Sequence, residues 1–190
     1  MPQPAPFTAL LFGLRGCLVD AAADYHANAA GPALVTPGAL EALDALRQQG
    51  VPCAWLDELP DALCRHLATP LPDWMTAINH SRDRARWPAP DACWQALMTL
   101  KVERLDGCVL VSGEPRLLQA GLNAGLWTVG LASCTTLRNS ALTTQEQEHK
   151  RARTTLQLFN LGVHSVIDHL MELEACLSDI SLRRSKGEKP

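Results

Sequence analysis

The side chains able to do chemistry lie just beyond the ends of short apolar runs. FTALLFGLRGCLVD (residues 7–20) carries Arg15, Cys17 and Asp20 after a run that closes on Phe12 and Gly13. Asp57 follows VPCAWL, and Ser112, Gly113 and Glu114 follow CVLV. A carboxylate so placed can attack an ester or hold a hard cation such as magnesium, which takes oxygen ligands. The guanidinium of Arg15 can grip an anion through two parallel hydrogen bonds. Cys17 could attack only as a thiolate; an ordinary thiol has a pKa of about 8.5, and no histidine is placed by sequence to lower it. A small core cysteine is the expected reading. His164 and His169 flank the last apolar run, where a structural role is the default.

The elements that must position these groups follow from the alternation of short apolar runs with helical patterns, which predicts parallel strands joined by crossover helices. Residues 7–13, 51–56, 74–78, 108–111, 127–132 and 164–168 read as strands. Thr36 and Pro37 open a helix with Leu40, Leu43 and Leu46 on one face, closed by Gly50. Further helices are expected over 60–67, from Pro90 or Asp91 to Leu100, from Pro115 to Gly125, from Thr143 to Gly162 and over 170–177. The Thr143 helix starts on a capping box with Glu146, carries the pairs Glu146/Lys150 and Glu148/Arg151 in its first half, and buries Leu156, Leu158, Phe159 and Leu161 in its second. Residues 21–35 form an Ala-rich connection with room for one short helix, and NHSRDRARWPAP (79–90) is an exposed loop.

Composition narrows the partners. The chain has 190 residues, 47% of them hydrophobic, and a formal charge of -3. That length suits one domain with a sizeable core, taken here as residues 1–180 with a charged, frayed tail over 181–190. Scattered Lys and Arg give no broad basic surface for nucleic acid. No apolar stretch reaches the ~18 residues of a membrane span. Seven cysteines without ligand spacing signal neither a disulfide frame nor a zinc site, which fits a reducing cytoplasm.

Several segments, in order, resemble the haloacid dehalogenase (HAD) superfamily and within it the phosphonoacetaldehyde hydrolase (phosphonatase) branch. FTALLFGLRGCLVD looks like the opening motif, ARWPAPDACWQALMTLKV like the Gly-Arg-Pro-x-Pro helix start, and VLVSGEPRLLQAGLNAGLWTVGL like the Gly-Asp-Thr-x-x-Asp motif with its Asn-Ala-Gly-x-Trp-Thr-Val-Gly sequel. LGVHSVIDHLMEL resembles the branch's closing segment. The resemblance implies a three-layer, Rossmann-like α/β core with its site at the C-terminal edge of a mainly parallel sheet of five or six strands.

The same resemblance marks departures. The nucleophilic aspartate's place is Gly13 and the second position is Arg15, while Cys17 replaces a threonine. The phosphate-holding Thr or Ser falls on Leu56 or Asp57. The basic residue falls on Trp87, with Arg86 beside it. The magnesium-holding acids fall on Gly113 and Leu117, with Ser112 and Glu114 alongside. The branch's cap domain, with its Schiff-base lysine, is reduced to residues 21–35, which contain no lysine. These positions imply a vestigial site, no magnesium or other cofactor, and no family reaction.

Three functions stay open on sequence. One is a pseudoenzyme that binds a protein partner or a small anion, the anion held by Arg15 and the amides near Pro115; the competing role for Arg15 is to neutralise Asp20, Asp57 or Glu114. The second is a divergent hydrolase with Asp20, Asp57 or Glu114 as nucleophile. The third makes the cap-vacated edge a homo-oligomer interface. Trp55, Trp94 and Trp127 read as core, while Trp74 and Trp87 would cover that edge.

Overall fold

Every residue of Ala9–Gly13 (β1) is buried, because the strand lies in the middle of a sheet covered on both faces. The structure is a computed structural model and describes residues 7–20, 33–79, 81, 83–135 and 143–190. Val19–Asp20 (β2) and Leu34–Val35 (β3) form a short antiparallel pair, with Asp20 opposite Leu34. Residues 21–32 of the expected Ala-rich connection lie outside the described residues. After β3 come Ala39–Gln48 (α1), Cys53–Leu56 (β4), Asp61–Leu67 (α2), Thr76–Ile78 (β5) and Asp91–Thr99 (α3). Cys108–Ser112 (β6), Pro115–Asn123 (α4), Trp127–Leu131 (β7), Thr144–Leu161 (α5), Ser165–Ile167 (β8) and Leu173–Ser185 (α6) complete the chain.

The main sheet has the order β5-β4-β1-β6-β7-β8 and is parallel throughout. Successive strand residues point to opposite faces, and the two faces collect different helices. Leu10, Phe12, Cys53, Trp55, Val109, Val111, Trp127 and Val129 pack with Leu43 and Leu46 of α1 and Leu173 and Leu177 of α6. Ala9, Leu11, Ala54, Leu56 and Leu110 pack on the other side with Cys93 and Leu97 of α3 and Leu117 and Ala120 of α4. The chain runs β1, β4, β5 in one direction and β6, β7, β8 in the other, so the order reverses between β1 and β6. Open α/β sheets bind ligands at the carboxyl ends of such strands.

Five expectations need correction. α1 starts two residues after Pro37, at Ala39, with Gly38 as its N-cap; the φ of 82° at Gly38 and its contact with Met171 place the turn, since a Cβ there would sit 2.6 Å from Met171 Cγ. On α5 the capping box forms as expected, but Leu156 and Phe159 are exposed and Thr154 and Leu158 are buried, so the apolar stripe is narrower than the composition implied. Arg151 reaches Asp168 at 3.2 Å rather than pairing with Glu148, because β8 passes within range. Residues 181–185 are helical, not frayed: Arg184 lies over the Phe7 ring at 5.2 Å and Arg183 over Trp127 at 4.8 Å, which ties down the last turns of α6. Among the tryptophans, Trp94 is exposed on α3, whereas Trp87 is buried and Trp74 packs against the core. Among the described residues no helix is long and apolar enough to cross a membrane.

His164 stands before β8, away from the carboxyl edge. Its Nδ1 accepts the Thr128 N–H at 3.0 Å and its ring tilts against Trp127. Burial, and then the charge of Arg183, push its pKa below the usual 6.5. A depressed imidazole pKa means that the neutral form belongs to the fold: its contribution is complete above about pH 6.5 and drains away as pH falls through the folded pKa. The melting temperature should therefore drop between about pH 7.5 and about pH 5.5. In His164→Asn, whose Oδ1 can accept the same N–H, the drop should be shallower. A variant that loses stability as steeply as the wild type would rule His164 out as the cause.

Candidate functional site

Three strand ends meet at the reversal point. In the sheet register Gly13 stands beside Leu56 and Phe12 beside Val111. The N–H of Leu14 donates to Leu56 O at 3.0 Å, which carries the first loop alongside the end of β4. The chain then turns back at once: Leu18 and Val19 N–H both reach Leu14 O, and Gly16 N–H reaches Val19 O at 2.7 Å. This tight turn leaves Arg15 projecting over β4 and toward Asp57.

The two charges close on each other. Arg15 Nε donates to Asp57 Oδ2 at 2.8 Å and Nη2 to Oδ1 at 2.7 Å, a bidentate fork. Leu59 N–H adds a bond to Oδ1 at 3.0 Å, and Arg15 N–H reaches Oδ2 at 3.4 Å. The Asp57 side chain is 2% exposed and that of Arg15 30%, so the carboxylate is sequestered and the guanidinium covers it. Burial pulls the Arg15 pKa down, but the hydrogen bond and charge of Asp57 outweigh it, and the net direction is up. Of the partners that sequence offered Arg15, the geometry selects Asp57. Both oxygens of that carboxylate are occupied, which leaves it poorly placed to attack an ester.

Gly13 lies against β6 at a distance that only hydrogen tolerates. A Cβ on it would fall 2.7 Å from Ser112 Oγ and 3.4 Å from Leu117 Cδ2. Ser112 is fully buried and cannot swing away freely, because its Oγ accepts the Glu114 N–H at 3.0 Å. Glu114 is the N-cap of α4, its carboxylate accepting Arg116 N–H at 3.2 Å. The helix start near Pro115, which the sequence offered as one possible anion cradle, is thus already covered by a negative side chain of its own. Gly113 has no side chain, and Leu56 and Leu117 are buried in the α3/α4 side of the core.

The remaining positions are distributed differently from the sequence pattern. Arg86 is exposed, and the buried Trp87 is held instead by its backbone. Its N–H donates to Glu58 Oε1 at 2.6 Å, and its carbonyl accepts from Arg116 Nη2. Arg116 also approaches Glu58 at 3.5 Å. Glu58 and Arg116 were not singled out by sequence, and no local signal could have found them: 58 residues separate the two partners. Cys17 is buried with Sγ 3.5 Å from Val111 O, as expected of a core thiol. Cys64 was also missed; burial, and then the Asp57 charge, push its thiol up to about 12, so it is inert beside the ion pair.

A magnesium ion in the manner of the resembled family does not fit this donor set. Gly13 and Gly113 offer no side-chain oxygen, Leu117 is apolar, and both Asp57 oxygens are held by Arg15. Among the described residues no three His, Cys, Asp or Glu side chains gather as a metal cluster.

No family model matches the chain. A phosphonoacetaldehyde hydrolase of Aeromonas hydrophila is 31% identical over 171 residues, covering 81% of this chain and 59% of that protein. That of Klebsiella pneumoniae is 28% identical over 165 residues, covering 80% and 61%. A phosphonoacetaldehyde hydrolase-like protein from Oleispira antarctica superposes with a TM-score of 0.80 at 21% identity, covering 98% of this chain and 97% of that one. The chain has a HAD-like fold. A further crystal structure is 60% identical to this chain, with a TM-score of 0.87 over 97% of this chain and 100% of the other. The chain spans about three fifths of the length of the curated relatives it matches, 59% and 61%.

Proposed function

We propose that this phosphonatase-like HAD protein binds without turning over, its former catalytic edge closed by the Arg15–Asp57 pair. What carries the reading is Gly13: the strand end that would present a nucleophile has no side chain, and Ser112 Oγ fills the space where one would begin. The curated relatives are hydrolases of phosphonoacetaldehyde by name. Covalent attack needs an activated nucleophile, and groups that act as a unit fail together. Asp20 and Leu34 pair directly, so residues 21–33 are an excursion far below the ~40 residues at which a domain can fold unaided. They contain no lysine for imine chemistry.

Of the two ligands that sequence offered, a macromolecular partner is favoured over a small anion. The Arg15 fork is engaged by Asp57 and the α4 terminus by Glu114, so an anion would have to displace a carboxylate at either place.

Turnover assays test this. With phosphonoacetaldehyde or p-nitrophenyl phosphate and millimolar magnesium, the purified protein should release product no faster than a mock purification. Magnesium-dependent release that disappears in Asp20→Asn, Asp57→Asn or Glu114→Gln would establish the divergent hydrolase instead. Millimolar phosphate should leave the melting temperature unchanged; a rise that is lost in Arg15→Ala would restore the anion reading.

A further inference from the structure

A cavity of about 340 Å³ lies between α1 and α6, on the sheet face formed with Leu10, Phe12 and Trp127 and separate from the Arg15–Asp57 edge. Gly38, the N-cap of α1, touches Met171 just before α6, so the two helices begin side by side. The cavity runs from Gly38 and Leu170 at that end to Gln49 and Ser181 at the other. Its floor is apolar, with Ala42, Ala45 and Leu46 on one wall and Leu173 and Leu177 on the other. The size lies at the lower end of small-molecule pockets, which run from about 300 to 1,000 Å³.

Charge gives this groove a direction. Glu41 and Glu174 line it, one on each helix, in the first turn of α1 and of α6. Both side chains are exposed and neither has an ion pair among the described residues. At the far end Arg184 lies over the Phe7 ring, 5.2 Å from its centroid, with its charge paired to Asp106 at 3.4 Å. A positive head is therefore attracted at the Gly38 end, while an apolar body covers the alanine and leucine floor toward Phe7.

We infer that the α1/α6 groove is a binding site for a small amphiphilic cation, an amine or quaternary ammonium on an aliphatic body, with its head between Glu41 and Glu174. Two carboxylates lining one groove select charge, and the leucine floor selects an apolar chain. The site is independent of the vestigial edge and requires nothing of Arg15 or Gly13.

The probe is n-octylammonium, with n-octanol and n-octanoate as neutral and anionic counterparts, titrated into the isotopically labelled full chain and read by amide shifts. Octylammonium should shift Ala42, Ala45, Leu173 and Leu177, octanol should do so more weakly and octanoate least. Glu41→Gln with Glu174→Gln should weaken octylammonium about tenfold, as expected for two partly exposed ion pairs, and leave octanol unchanged. Ala45→Trp, checked as folded by its melting curve, should abolish the shifts. Octanoate binding as tightly as octylammonium, shifts spread over unrelated acidic surface, or Ala45→Trp binding like wild type would each overturn the assignment.

Discussion

Gly13→Asp, the substitution that would supply a nucleophile to β1, is expected to cost on the order of 4 kcal/mol of folding stability and to yield no activity. Its Cβ would meet Ser112 Oγ at 2.7 Å, and that oxygen is anchored to the N–H of Glu114 at the head of α4. Overpacking of this kind costs about 1–3 kcal/mol, and a carboxylate in a fully buried strand adds the penalty of an unpaired charge. Urea denaturation measures the sum. Gly13→Ala should keep the steric part and shed the charge, and Gly13→Asp with Ser112→Gly should regain the steric part alone. A single Gly13→Asp variant within about 1 kcal/mol of wild type would show that β6 yields easily, and the closed-site reading would fail.

Arg15→Ala is the second large effect, about 2–3 kcal/mol, because it strips a buried carboxylate of its charged partner among the described residues. The figure sits below that for a fully buried pair, since Arg15 is 30% exposed and water can partly replace it. Arg15→Met combined with Asp57→Leu should recover much of the loss, as apolar pairs of similar volume often match a buried ion pair. Coupling between the two positions, measured as a double-mutant cycle by denaturant melts, should then exceed about 1 kcal/mol. Additive costs would mean that the fork seen at 2.7 and 2.8 Å is not energetically a pair.

Much of the scaffold was legible because the information is local. The Thr143/Glu146 capping box and the Gly162 close of α5 depend on residues within one turn of each other. Pro115 and Gly125 bracket α4 for the same reason. The apolar runs of β1 and β6 are continuous because helices cover both faces, and that continuity announced a parallel sheet. Local pattern misled where burial is decided at a distance. Leu156 and Phe159 have the hydrophobicity of core residues yet face away from the sheet, and Trp94 stands exposed on α3.

The sequence by itself determined the fold class, the strand ends where chemistry would lie, and the lack of a side chain at Gly13. Tertiary structure alone decided that Arg15 closes on Asp57 rather than on Asp20 or Glu114, that Ser112 fills the space before Gly13, and that Glu58 and Arg116 hold Trp87. The reason is physical: composition and periodicity report on neighbours within a few residues, whereas each of these contacts joins loops brought together only when β1, β4 and β6 align.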